Sequence, residues 1–412
     1  MICISFENQK ECPVCGKIYS EDENYCSEHT KLIELVYSKD LVKICPKCRK
    51  KYPEGHNFCS KHSDMVDLVY IKDLVKVCPN CDEKYPEDYN YCVQCDSGAP
   101  LEYMVITPIK DIKTHPNQFY NFKNYSNKFN EISQLLSREN IDKLKNFSLS
   151  QVQFDKILEN IKTTYKDILN NILDEYHINL NNLKPLEKVL LFSKSFVKTD
   201  YKEGGGDLGH FLFNEIYIDD RATDALQITT IIHELSHFLL AEILEQVVSI
   251  ILDSQKTDAI EAFVCYTLVK DKFNYLVDEY CAHTVEGRFA LLGYQDYGSY
   301  TQAREDFLKE YSEEYIDVAI GIGNTFASYI KDVMASFIDE DLREEIKDEF
   351  LKINDPPKYP NLQYETSEIF EWERFSKAIQ IMLSKKLDDI SNNDSDLEIL
   401  EQYAVKFKKN NS

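Results

Sequence analysis

Ile231-Ile232-His233-Glu234-Leu235-Ser236-His237-Phe238-Leu239-Leu240 is an H-E-x-x-H pattern set in an apolar run. On a helix, the four-residue spacing puts His233 and His237 one turn apart on one face, so both imidazoles can hold one ion. Glu234 then enters the same cleft and is placed to take a proton from a water on that ion. Ile231, Ile232, Leu235, Phe238 and Leu239 bury the other faces, and two incidental histidines on a surface helix would not need such flanks. The stretch predicts a buried helix carrying a catalytic zinc, with Glu234 as general base.

Such a zinc needs a third protein ligand and one open position. Downstream lies Asp278-Glu279-Tyr280-Cys281-Ala282-His283-Thr284-Val285-Glu286. Apolar spacing from Ala259 to Val277 is helical, so Glu279 can project from a second helix, with small Ala282 allowing close approach to the first. His283 and Asp278 are the alternative ligands. Cys281 lies off the Glu279–His283 face and is read as packed, as is Cys265.

At these residues the chain resembles the gluzincin metallopeptidases, over roughly residues 185–295. The resemblance implies that His233, His237 and Glu279 hold the zinc and that Glu234 is catalytic. One position departs from the pattern. Many gluzincins carry an Asp or Asn one turn after the ligand glutamate, supporting the first histidine, and here that position is His283. It is assigned to support of the site, to substrate, or to the metal itself. Val189-Leu190-Leu191-Phe192, Phe211-Leu212-Phe213 and Glu215-Ile216-Tyr217-Ile218 read as strands, with Gly204-Gly205-Gly206 as a turn among them. The resemblance implies that the edge strand pairs with an extended peptide substrate. Asp219, Asp220 and Asp224 fit a loop that starts the helix. Tyr294, Tyr297, Tyr300 and His210 are candidates for stabilising an oxyanion.

A different object precedes this region. Of 13 cysteines, 11 lie before residue 96. Cys12, Cys15, Cys26 and His29 form one quartet; Cys45, Cys48, Cys59 and His62 a second; Cys78, Cys81, Cys92 and Cys95 a third. The quartets recur with a period of 33 residues, and Leu35-Val36-Tyr37 and Lys39-Asp40-Leu41-Val42-Lys43 recur with them. Two ligands on each tight turn close a tetrahedral shell, and units this small need metal to fold. They look like zinc ribbons, with no open position for catalysis. Cys3, Cys265 and Cys281 remain as ordinary thiols, and His56 reads as a surface residue.

The chain has 412 residues and a formal net charge of -24. Residues 1–100 hold 13 basic and 17 acidic side chains, so the acidity belongs mainly to the rest. Strong acidity argues against a general nucleic-acid surface. The middle ribbon nevertheless gathers Lys43, Lys47, Arg49, Lys50, Lys51 and Lys61 into a local basic patch. No apolar run approaches the ~18–20 residues needed to span a bilayer. The N-terminus lacks the pattern of a signal peptide. A cytoplasmic, reducing location follows, where clustered cysteines bind metal.

The expected fold is α+β: a mainly helical gluzincin-like core with a small antiparallel sheet, preceded by three ribbons. The expected boundaries are ribbons over 8–34, 41–67 and 74–103, a helical linker over 104–184, the peptidase core over 185–300 and a helical region over 301–412. Helices are expected from Phe129 to Leu136 and from Phe154 to Leu173, and an amphipathic one around Phe370, Trp372, Phe375, Ile379 and Met382. Asn392 to Ser395 reads as a polar break, and the last residues as frayed. The expected activity is cleavage of a specific protein substrate, with one catalytic and three structural zinc ions. The ribbons would dock substrate or a regulatory protein, or impose latency. The rivals are a non-enzymatic zinc scaffold and a nucleic-acid-associated peptidase whose ribbons bind DNA or RNA.

Overall fold

A computed structural model describes residues 10–12, 17–19, 23–28, 35–37, 42–45, 50–59, 61–62, 66, 68–70, 74–80, 84–85, 89, 91–95, 98–105, 108–112, 131–176, 178–202, 208–290, 298–352 and 368–410. The chain divides into two compact units, Met1–Pro108 and Ile109–Ser412.

The first unit repeats one three-stranded antiparallel sheet three times. The strands are β1 (Lys10–Glu11), β2 (Ile18–Tyr19), β3 (Val36–Tyr37), β4 (Lys43–Ile44), β5 (Lys51–Tyr52), β6 (Val69–Tyr70), β7 (Leu74–Val77), β8 (Lys84–Tyr85) and β9 (Glu102–Val105). The first strand of each trio is central. A lysine on it lies in register between two tyrosines: Lys10 with Tyr19 and Tyr37, Lys43 with Tyr52 and Tyr70, Lys76 with Tyr85 and Tyr103. All three lysines are buried. The Lys10 ammonium donates to Glu23 O at 3.0 Å and Asn24 Oδ1 at 2.8 Å, Lys43 to His56 O at 2.9 Å, and Lys76 to Tyr89 O at 2.8 Å. A buried ammonium needs such acceptors. Lys43 is thereby removed from the basic patch, of which Lys51 and Lys61 are exposed, Lys50 is half-buried, and Lys47 and Arg49 lie outside the described residues. His56 is exposed, as expected.

The second unit has one apolar core, to which residues from Ile109 to Phe407 contribute. Its helices are α1 (Glu131–Leu135), α2 (Arg138–Asn146), α3 (Gln151–Glu175), α4 (Pro185–Phe196), α5 (Asp224–Leu252), α6 (Asp258–Lys270), α7 (Lys272–Phe289), α8 (Gly298–Phe307), α9 (Ile316–Met334), α10 (Glu340–Leu351), α11 (Trp372–Ser384), α12 (Leu387–Asn392) and α13 (Asp394–Asn410). The helices expected near 129–136 and 154–173 appear as α1 and α3. In α11, Phe375, Ile379 and Met382 are buried, and Phe375 packs edge-on against Phe154 with ring centres 5.7 Å apart. The polar break falls at Asn393, between α12 and α13, but the last residues are helical to Asn410 rather than frayed.

Helix α5 is the centre. Thr223 caps it, its side chain accepting from Leu226 N, and Asp253 ends it in a left-handed turn. Its most apolar 18-residue window is long and apolar enough for a bilayer, but 83% of it is buried inside this unit. A helix apolar on every side is one packed on every side.

Residues 185–196 correct the expectation of a strand at Val189 to Phe192. A short apolar run is ambiguous by periodicity alone. Here Pro185 occupies the first helical turn, and Glu187 accepts the Lys184 N–H at 2.9 Å, both helix-starting features. The four apolar residues are all buried.

The sheet consists of β10 (Lys198–Tyr201), β11 (Gly209–Leu212) and β12 (Glu215–Ile218), in the order β10-β12-β11. It is mixed rather than purely antiparallel: β11 and β12 form a hairpin, while β10 pairs parallel to β12. Phe213 and Asn214 turn the hairpin with φ of 51° and 59°, the two-residue turn that matches strand twist. The glycines expected between β10 and β11 lie outside the described residues. Strand β11 is thus an edge.

Candidate metal centre

Two helices and one strand build the site. On α5, His233, Glu234 and His237 face a cleft of about 920 Å³. Strand β11 forms one wall, and Gly209 lets it lie close: a Cβ there would meet Thr230 Cγ2 at 2.4 Å and Tyr217 O at 2.8 Å. Helix α7 supplies Asp278, Glu279, His283 and Glu286 to the other side. Gly323 of α9 lets that helix back α7 closely, since a Cβ there would meet Val277 O at 2.9 Å.

The Nε2 atoms of His233 and His237 face each other at 3.1 Å, and Glu279 Oε2 lies 4.0 Å from His233 Nε2. That carboxylate oxygen is buried and has no hydrogen-bond partner. A buried carboxylate oxygen without a donor costs free energy unless a cation meets it. The three residues can together hold a metal ion.

The remaining polar groups fix these three. Asp278 Oδ1 lies 2.8 Å from His237 Nδ1, and Glu286 Oε2 lies 3.2 Å from His233 Nδ1. Each carboxylate sets the tautomer that leaves Nε2 free to bind a metal. Asp278 thus orients a histidine from behind the three residues that could hold an ion. His283 also sits behind it: its Nδ1 is 3.3 Å from Glu286 Oε2 and its Nε2 is 2.9 Å from Ser299 Oγ. Ser299 also favours the charged form of Glu279. Glu286, His283 and Ser299 thus form a polar chain behind His233. His233, His283 and Glu286 also have a metal-compatible arrangement. With His233 Nε2 turned toward His237, its Nδ1 is left to Glu286.

Acidic groups outnumber the imidazoles here. Burial opposes the charge on His237, yet the nearby carboxylate of Asp278, with those of Glu279 and Glu234, pushes its pKa up to about 10. A proton is then held where the surroundings call for a cation. Glu279 is pushed up by burial but held below the usual carboxylate range by His237 and His233 and by the Ser299 hydrogen bond. Burial raises Glu234, although His233 and His237 and a hydrogen bond from the Phe211 N–H partly oppose it. A carboxylate beside the metal-binding set with a raised pKa suits a group that accepts and then returns a proton.

Among the oxyanion candidates, His210 of β11 lines the cleft. Tyr300 is buried against Tyr280, with ring centres 5.8 Å apart, and does not line it. Tyr294 and Tyr297 lie outside the described residues. Tyr275 lines the cleft beside Glu279, where burial and the Glu279 charge raise its pKa, a placement that sequence reasoning missed. Glu286 and Ser299 were missed too. For Tyr275 and Glu286 the signal was present: they stand four residues before and seven after Glu279, on its face of the helix. Cys281 is buried away from the cleft, while Cys265 lines its far part.

In the first unit, Cys45, Cys59 and His62 converge, as do Cys78, Cys92 and Cys95. His62 Nε2 is buried without a hydrogen-bond partner. Cys12 and Cys26 are buried in one cluster with Tyr19 and Leu35. Cys15, His29, Cys48 and Cys81 lie outside the described residues. A tyrosine hydroxyl meets the third cysteine of each repeat: Tyr19 on Cys26 Sγ at 3.0 Å, Tyr52 on Cys59 and Tyr85 on Cys92 at 3.1 Å. At Cys92, burial works against the thiolate. The Tyr85 hydroxyl, the N–H groups of Cys95 and Gln94, and Cys78 bring its pKa down to about 6. Thiolate character of this kind suits a metal ligand.

Compared with protein-family models, curated proteins and solved structures, the chain shows no match.

Proposed function

We propose that this chain is a zinc-dependent endopeptidase of gluzincin type acting on a specific protein substrate. The observation that carries the reading is the convergence of His233 Nε2, His237 Nε2 and the unpartnered Glu279 Oε2, with Glu234 beside them under an edge strand. His233, His237 and Glu279 would hold the ion. Bound zinc supplies Lewis acidity toward a carbonyl and lowers the pKa of water toward roughly 7. Glu234 takes the proton of the attacking water and returns it to the leaving amine. Strand β11, an edge of the sheet that walls the cleft, would pair with an extended peptide and hold the scissile bond over the cleft. His210 is the side chain of β11 placed to meet a developing oxyanion.

The first unit is read as three structural zinc ribbons that dock substrate or a regulatory protein. Clustered thiols as ligands fit a reducing, cytoplasmic setting. The burial of Lys43 reduces the basic surface available to nucleic acid.

The test is a proteome-wide comparison of cleavage products from the zinc-loaded protein and its Glu234→Gln form. Products present only with the wild-type chain support the reading. Identical product sets from two equally metal-loaded proteins overturn it.

A further inference from the structure

The cleft does not end at the metal-binding residues. Its floor follows one face of α5 through His233, His237, Ala241 and Glu245, each four residues from the last. Eight residues separate His237 from Glu245, about 12 Å at ~1.5 Å per residue. Helical side chains lean toward the N-terminus, so Glu245 leans back toward the metal-binding residues. Ala241 between them leaves the floor low. Beyond His237 the walls are Cys265, Leu268 and Val269 of α6, with Phe213 and Phe407. Glu245 is the acidic residue lining this apolar arm.

Glu245 is 2% exposed and pairs with Lys256 at 2.6 Å. Lys256 also pairs with Glu242 at 2.6 Å and Glu261 at 3.4 Å. Glu242 accepts from Gln246 at 3.0 Å and Glu261 from Asn214 at 2.8 Å. One ammonium is thus shared among three buried carboxylates. Lys406 stands at the rim, over the Phe213 ring at 4.6 Å, on an exposed side chain.

We infer that this arm is a substrate subsite that takes a lysine or arginine side chain, its aliphatic stem on the apolar walls and its cationic head on Glu245. Long basic side chains bury their stems along apolar surface and need a counter-charge at the tip. A residue flanking the scissile bond starts beside the metal-binding residues and extends several ångströms, and Glu245 leans to meet it. Burial pushes the Glu245 pKa up, against the pull of Lys256, so a further cation at this carboxyl would be favoured. The inference rests on the peptidase reading for the placement of the peptide.

Binding separates it from that reading. The zinc-loaded full chain carrying Glu234→Gln is titrated with amidated hexapeptides in which lysine, arginine, norleucine or glutamate is stepped through each position. At one position lysine or arginine should bind on the order of 10- to 100-fold tighter than norleucine, the range of one charge-assisted contact. The advantage should vanish when Glu245→Gln is added. It should also vanish with Ala241→Leu, which raises the floor without touching the charges and serves if the Glu245 variant fails to fold. Norleucine binding as well as lysine, or an advantage that survives both changes, overturns the subsite. If the wild-type chain cleaves nothing that Glu234→Gln spares, the peptidase reading falls, and the binding comparison still decides the subsite.

Discussion

His233 Nδ1 stands 3.2 Å from Glu286 Oε2, so the first histidine of the H-E-x-x-H motif is gripped from behind by a carboxylate that also holds His283. At the position one turn after Glu279, where the proposed gluzincin resemblance would put an Asp or Asn, stands His283, and the carboxylate on His233 comes three residues on, from Glu286. Glu286→Gln should keep the fold and weaken metal binding at this centre about 10- to 100-fold. Competition with a chelator of known affinity measures it, and an unchanged affinity would contradict the arrangement.

His283 and Glu279 should behave differently toward the metal. Glu279→Gln removes a ligand and should cost one equivalent of metal per chain after dialysis. His283→Gln should retain that equivalent, because its ring touches Glu286 and Ser299 behind the ligand set. Metal analysis of the two proteins side by side decides the matter, and the opposite pattern would make His283 the ligand.

Gly209 sets the gap between β11 and α5. An alanine there would press on Thr230 and on the backbone of Tyr217. Gly209→Ala should destabilise the second unit by about 1–3 kcal/mol. It should also lower peptide cleavage more than metal content, because the strand moves and the ligands stay. Denaturant midpoints and metal analysis on one preparation separate the two effects.

Glu245 should leave a mark on stability against pH. Its folded pKa, about 8, lies above its ordinary 4.5, so the folded chain keeps a proton that the unfolded chain releases. Its contribution is therefore full below pH 4.5 and is lost as pH rises through about 8. Glu245→Gln cannot titrate and should flatten the decline across that range. Urea midpoints for both proteins through the interval test this, and parallel curves would count against it.

In the second repeat, Tyr52→Phe removes the hydroxyl 3.1 Å from Cys59 Sγ. The apolar ring is kept, so the loss is one hydrogen bond to a thiolate, about 1.5–3 kcal/mol. Metal should leave that repeat roughly 10- to 100-fold more readily. Release followed with a chromogenic chelator checks it, with Tyr19→Phe and Tyr85→Phe expected to act alike in their own repeats.

Much of the centre was legible in the sequence because spacing along a helix is a local property. His233 and His237 share a face by periodicity alone, and the apolar pattern before Glu279 puts it on a second helix, though its choice over His283 and Asp278 came from the gluzincin resemblance. The repeats were legible for the same reason, since a tight turn brings two cysteines together within a few residues. The buried lysine of each repeat was not, because sequence reads a lysine as surface. Only the ladder shows it enclosed, with backbone and side-chain oxygens for its ammonium.

What tertiary structure alone decided is which groups meet from different elements. Val189 to Phe192 read as a strand, and packing together with the Lys184–Glu187 start made it a helix. Asp278 and His283 were candidates by type, and Glu286 was passed over. Across the α5–α7 interface Asp278 faces His237 Nδ1 and Glu286 faces His233 Nδ1, while His283 meets Glu286 and Ser299. Ala241 and Glu245 had no role by sequence, and the walls supplied by α6, Phe213 and Phe407 bring them into the cleft. Periodicity fixes the face of one helix. Distances between helices depend on how whole faces pack, and no single stretch of sequence carries that information.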